Sequence, residues 1–240
     1  MNKLYRKNEL AFSLIHIVVY VVGISIADGV SSSLGTEKSV TAVATVLLSL
    51  WLFLWIKKEG LTEKYGLCKS EISSGKMLFY LPLVIIVSVN LIFGVRMNMS
   101  PLETALYIIS MLCVGFIEEV IFRGFLFKAM AKDNIKSAII VSSVTFGVGH
   151  IVNLVNGSGA ETLSTLLQVV YAVAIGFLFT VMFYRTKSLI PCIVTHSLVN
   201  SLSVFSDEST LTLGKELLSA GILVVVPVLY TVYVWKKCKR

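Results

Sequence analysis

Residues 162–184 read TLSTLLQVVYAVAIGFLFTVMFY, 23 positions without one Asp, Glu, Lys or Arg. About 20 apolar residues in a helix cross roughly 30 Å of hydrocarbon, so this stretch predicts a membrane span. Outward from it, seven further apolar runs occur at 10–27, 39–56, 77–95, 102–122, 136–153, 188–205 and 216–235. None alternates with the period of a membrane barrel strand. The expected fold is therefore all-α. It is a single membrane-embedded domain over 1–240, a polytopic protein of about eight transmembrane helices. Composition agrees: 56% of residues are hydrophobic and 15% charged, with a mean hydropathy of +0.85, whereas soluble domains carry about a quarter charged residues. Disorder, a secreted cysteine-rich scaffold and an ordinary cytosolic enzyme are excluded. Cys68, Cys113, Cys192 and Cys238 are widely spaced with no CxxC, so neither a disulfide framework nor a thiolate zinc site is indicated.

Local signals mark some of the boundaries. Ser100-Pro101-Leu102-Glu103 is a capping box with proline at the first helical position. Ser158-Gly159-Ala160-Glu161 repeats the Ser-x-x-Glu spacing ahead of the 162–184 run. The longest polar connection, 57–76, reads either as an interfacial amphipathic piece or as a solvated loop. No internal repeat is visible, so an inverted-repeat transporter has no support.

The net charge of +7 is explained by placement. With the N-terminus in the cytoplasm, segments 3–7, 57–76, 123–136, 185–187 and 236–240 hold eighteen of the 21 Lys and Arg; only Lys38, Arg96 and Lys215 fall outside. That asymmetry satisfies the positive-inside rule with both termini cytoplasmic and leaves no reason to invoke nucleic acid. A cleaved signal peptide over 3–30 is disfavoured, because no A-x-A site follows and the charge pattern fits with the first span retained.

Ionisable residues inside spans cost several kcal/mol on insertion scales and are functional by default. Three groups occur here: Glu118-Glu119 with Arg123, Phe146 with His150, and His196 with Asn200. Glu119 and Arg123 are four apart on one helical face and can pair. Glu118 is rotated by roughly 100° and is left without a partner on its own helix. His196 and Asn200 share a face and aim at a common point, and Phe146 sits one turn before His150. His16, in the first span, has no polar neighbour at helical spacing and reads as structural. Singly, each group has a bland use as a neutralised edge pair or an interhelical hydrogen bond. Together they are a carboxylate and imidazole to activate water and paired donors to hold an oxyanion.

Other intramembrane chemistries lack their residues. There is no HExxH and no GxGD, the only aspartates being Asp28, Asp133 and Asp207, and Gly157-Ser158-Gly159 is not a GxSG. Cys113 and Cys192 stand at no motif spacing and read as packing.

These residues resemble the CPBP intramembrane proteases, also called the Abi or CAAX-prenyl endopeptidase type. Their pattern is EExxxR, then FxxxH, then HxxxN or HxxxD, on separate membrane helices. This sequence has Glu118-Glu119-x-x-x-Arg123, Phe146-x-x-x-His150 and His196-x-x-x-Asn200, within a motif-bearing core of about 100–205. The resemblance implies an intramembrane endopeptidase acting on a membrane-associated protein or peptide, with lipid bilayer as its other partner. In that reading Glu118 is the general base helped by His150, His196 and Asn200 hold the oxyanion, and Glu119 with Arg123 is a structural ion pair. It also implies a multi-pass protein of a bacterial plasma membrane, since a chain of this size need not act on prenylated proteins. The alternative is a non-catalytic transporter, or a scaffold or immunity protein that keeps the motif for binding.

No metal is favoured, because no compact ligand pair occurs; if zinc were bound, Glu118, His150 and His196 would hold it. Counting along the runs puts Glu118 and His196 in the cytoplasmic half of the bilayer and His150 beyond the midplane. The expected arrangement is an intramembrane cavity opening towards the cytoplasm.

Overall fold

The structure, a computed structural model, describes residues 2–154 and 161–238. The elements are α1 (Asn2–Lys7), α2 (Glu9–Ser33), α3 (Ser39–Lys58), α4 (Leu81–Ser88), α5 (Pro101–Glu118), α6 (Lys128–Met130), α7 (Ile135–Gly149), α8 (Thr162–Thr186), α9 (Ile190–Leu202) and α10 (Leu213–Lys237). No strand occurs among the described residues. Between α5 and α6 the backbone continues without a break as a π-helix over Glu119–Phe127. The protein is an all-helical, polytopic membrane protein.

Each of the eight apolar runs forms helix, but they are not equal. Among the described residues six helical stretches are long and apolar enough to cross a membrane, the longest Pro101–Met130; Leu78–Leu91 and Ile190–Phe205 are shorter. The first short one is delayed by left-handed backbone at Leu78, Phe79 and Tyr80, after which Pro82 supports the first turn. The capping box forms as expected: Ser100 Oγ accepts from the Glu103 amide, and the Glu103 carboxylate accepts from the Ser100 amide. Ser158 lies outside the described residues, and α8 begins after Glu161 with no side-chain cap.

The apolar side chains turned outward, such as Val18, Val22 and Ile26 on α2, Leu47 and Leu54 on α3 and Val225 and Leu229 on α10, are exposed. In a membrane they face lipid. Internal contact is made instead by small residues that let backbones approach. A Cβ at Gly115 of α5 would lie 2.6 Å from the Ser197 amide nitrogen of α9, and one at Gly147 of α7 would lie 2.7 Å from that of Val173 on α8. The first approach brings the Glu118–Glu119 turn against His196. The second fixes the end of α7 that carries His150.

The two faces of the bundle differ. On the face that bears both described ends, α1 and the 59–77 segment close over the helices. Asn2 Nδ2 donates to Glu59 Oε1 at 2.8 Å. Lys64 and Lys132 each pair with Glu9 at 2.8 Å, and Tyr233 Oη donates to the Lys76 carbonyl at 3.1 Å. The opposite face holds the Lys38–Asp28 pair at 2.8 Å, the Glu37 amide donating to Glu103 at 3.2 Å and Asn98 Nδ2 donating to the Ser206 carbonyl at 2.8 Å.

Candidate active site

The site forms where α2, α5, the π-helix, α7, α8 and α9 meet. Its anchor is a buried ion pair. Arg123 Nη1 donates to Glu119 Oε1 at 2.9 Å, and both side chains have zero exposure. Two unit charges so buried are expensive unless satisfied, and two aromatic rings help. The Arg123 guanidinium lies 4.0 Å from the centroid of Phe146 and 5.7 Å from that of Phe179, close enough for cation–π attraction. Glu119 Oε1 also lies 2.8 Å from His196 Nδ1.

That contact turns the His196 ring. Its other nitrogen, Nε2, lies 3.4 Å from Glu118 Oε2, so the imidazole bridges the two adjacent carboxylates. Because Glu119 also receives a bond from Arg123 it acts as an acceptor, and Nδ1 of His196 is then the donor. A ring that donates through Nδ1 can also donate through Nε2 only as imidazolium.

Glu118 has a partner that helical spacing does not reveal. Tyr20 Oη, on α2, donates to Glu118 Oε1 at 2.7 Å. The missing partner inferred from the helix face is thus supplied by a residue 98 positions away. The available signal was a tyrosine hydroxyl in the middle of an apolar span, which needs an acceptor at that depth.

His150 caps α7. Its Nδ1 lies 3.2 Å from the Phe146 carbonyl oxygen, which can only accept. Nδ1 therefore carries the proton, and in the neutral ring Nε2 keeps its lone pair. Phe146 is the hub of the cluster. Its ring meets His150 edge to face at 5.3 Å and His196 at 5.5 Å, besides carrying Arg123. His16 is structural, as its sequence setting suggested: Nδ1 donates to the Phe12 carbonyl at 2.6 Å and the ring lies among Phe12, Trp51 and Phe125.

Glu118, His150, His196 and Asn200 all line one cavity of ≈ 330 Å³, together with Tyr20 and Phe146. Asn200 accepts from Ser203 Oγ through its backbone carbonyl at 2.7 Å. Its side chain is not tied to His196 by a described hydrogen bond. Tyr20, Glu118 and His150 also line an adjoining cavity of ≈ 130 Å³. Among the described residues no group of three or more His, Cys, Asp or Glu side chains could hold a metal ion.

The direction of the cavity corrects an expectation. Away from Glu118 its walls run to Asp28, Lys38, Gln168, Asn90 and Ser203, all towards the face opposite the termini. In the other direction the space is filled, since every residue of the π-helix is buried. Cytoplasmic termini and a cavity opening to the cytoplasm cannot both hold. Depth along separate runs does not report which end of the bundle is filled, because the π-helix packs against several other segments.

With the geometry assembled, comparison with known families bears on its class. Residues 100–202 match the family described as Type II CAAX prenyl endopeptidase Rce1-like. That stretch, less than half of the chain, holds all three motifs, and over it the chain is similar to that family. No curated protein matches the chain. Tyr20, Asp28 and Lys38 lie outside the matched residues.

Proposed function

We propose that the protein is a metal-free intramembrane endopeptidase in which Glu118 activates water. The observation that carries the reading is the Glu118 carboxylate itself. It is only 15% exposed, held by Tyr20 and His196, and faces a cavity large enough for an extended peptide segment. Structural pairing absorbs Glu119 through Arg123 and leaves Glu118 facing open space.

In this mechanism Glu118 takes a proton from water, and the resulting hydroxide attacks the scissile carbonyl carbon. The carbonyl π electrons move to oxygen. The oxyanion accepts hydrogen bonds from Asn200 Nδ2 and from the His196 ring, which is oriented by Glu119. The proton held by Glu118 then passes to the amide nitrogen, the C–N bond breaks, and a carboxylic acid and an amine leave, the acid's proton passing to the amine. His150, with its lone pair on Nε2, relays protons between water and Glu118. Tyr20 is a positioning residue that fixes the Glu118 carboxylate. The substrate class is a membrane-associated peptide or protein, and the setting a bacterial plasma membrane.

The test is mass spectrometry of membrane peptides from cells carrying the wild-type or the Glu118→Gln protein. Peptides ending at a common cleavage position, present only with the wild type, are expected. Identical peptide pools at equal protein levels would favour a non-catalytic scaffold or immunity role.

A further inference from the structure

We propose that the substrate reaches Glu118 from the extracytoplasmic side, passing sideways from lipid through the cleft between α2 and α7. It is therefore a membrane-anchored peptide that enters from the outer leaflet and reaches down to Glu118. This rests on the peptidase reading above and adds a route to it.

The first observation is closure of the terminal face. Phe125 of the π-helix meets Phe12, Trp55 and Tyr65 at ring distances of 5.1, 5.9 and 5.0 Å. Phe127 meets Phe183 at 6.0 Å. The loop beyond them is stitched down: the Leu189 amide donates to the Gly66 carbonyl at 2.7 Å and Ser188 Oγ to the Cys68 carbonyl at 2.6 Å. A peptide arriving from that side meets packed aromatic rings.

The second is the cleft. α2 packs on α3 and on the π-helix, while α7 packs on α8 and on the π-helix. The two diverge beyond Glu118, and the smaller cavity lies between them. Val21, Ser25 and Asp28 form one wall, and Gly149, Val152 and Asn153 the other. A Cβ at Gly149 would meet nothing within 4 Å, in contrast with Gly147 two residues earlier.

The third is charge. With Arg123 set aside as buried, every Lys and Arg except Lys38, Arg96 and Lys215 belongs to segments on the terminal side. Positive loops stay in the cytoplasm, so the open face is the outer one. A prenylated C-terminal peptide held on the cytoplasmic leaflet would meet the closed side.

The route is tested with single cysteines at Gln168 and Ser203 on the cavity wall and at Ser70 on the terminal side, in full-length protein with Cys68 and Cys113 replaced by alanine. A membrane-impermeant maleimide is added to right-side-out vesicles. Labelling of Gln168→Cys and Ser203→Cys, with Ser70→Cys labelled only after permeabilisation, is the expected pattern; the reverse pattern overturns the proposal. In parallel, Ser25→Trp should plug the cleft and lower cleavage by about a hundredfold, while Val22→Trp, on the lipid side of the same helix, should leave it unchanged. Full cleavage by Ser25→Trp overturns entry through the cleft. Labelling needs no catalysis, so reversed labelling with cleavage intact refutes the route alone. Expected labelling with no cleavage product in any cell refutes the peptidase reading alone.

Discussion

The two halves of this bundle are built from the same helices to opposite ends. Towards the termini, the π-helix, α1 and the 59–77 segment form a filled aromatic core. Beyond Glu118 the same helices splay around a cavity lined by Tyr20, His150, His196 and Asn200. The filled half holds the Glu119–Arg123 pair rigidly, and the hollow half leaves Glu118 facing open space one residue earlier in the chain. Adjacent carboxylates thereby receive different work, one structural and one chemical. A membrane protein gains little from the hydrophobic effect between helices in lipid, so a dense half is what allows a hollow half to keep its shape.

Breaking the filled half should have the largest effect on stability. Glu119→Gln or Arg123→Met strands a charge in a site of zero exposure, and such losses cost about 3–5 kcal/mol. A thermal melt in detergent should show both variants well below the wild type, and unchanged melting would refute the anchoring role of the pair.

In the hollow half the effects should fall on turnover. Removing one oxyanion donor costs on the order of a hundred- to a thousandfold, about 2.7–4 kcal/mol. Asn200→Ala should lose that much kcat with little change in KM. Asn200→Asp should keep activity only while its carboxyl is protonated and can donate, so its rate should fall as pH rises. A raised KM with normal kcat in Asn200→Ala would move this residue to substrate binding.

Tyr20→Phe separates positioning from packing, because the ring stays and only the hydroxyl is lost. A hydrogen bond to a charged group is worth about 1.5–3 kcal/mol; loss of that much from the transition state should lower kcat about ten- to a hundredfold with KM little changed. Equal kcat in the two proteins would remove Tyr20 from the mechanism.

The smallest contrast is the sharpest test of filled against hollow. Gly147→Ala drives a Cβ to 2.7 Å from the Val173 amide nitrogen, and overpacking of this kind costs about 1–3 kcal/mol. Gly149→Ala meets open space and should change stability by no more than about 0.5 kcal/mol. Equal melting temperatures for the two would contradict the difference between the halves.

Much of this was legible in the sequence. Eight apolar runs became helices because span length and charge depletion are properties of single segments. The capping box at Ser100 formed for the same reason. The Glu119–Arg123 pairing followed from spacing along one helix. What escaped depends on distant segments. Tyr20 and Glu118 are 98 residues apart, and no periodicity joins them. Residues 119–127 are apolar enough for an α-helix, and it is their packing on neighbouring helices, α2, α7 and α8 among them, that accompanies a π-helix there. The side on which the cavity opens depends on Phe12, Trp55, Tyr65 and Phe125 meeting from four segments, which hydropathy along one segment cannot report.

The central claim is that Glu118 is the base that activates water. Purified Glu118→Gln protein, matched to the wild type in melting temperature and detergent, should be measured in a cleavage assay on the peptide that the membrane comparison identifies. Glutamine keeps the shape and still accepts from Tyr20, but cannot take a proton from water. The account predicts loss of cleavage by at least about a hundredfold, the lower range for removal of a general base, with peptide binding retained. Cleavage within a few-fold of the wild type would contradict it, and the base would have to be sought elsewhere among the cavity residues.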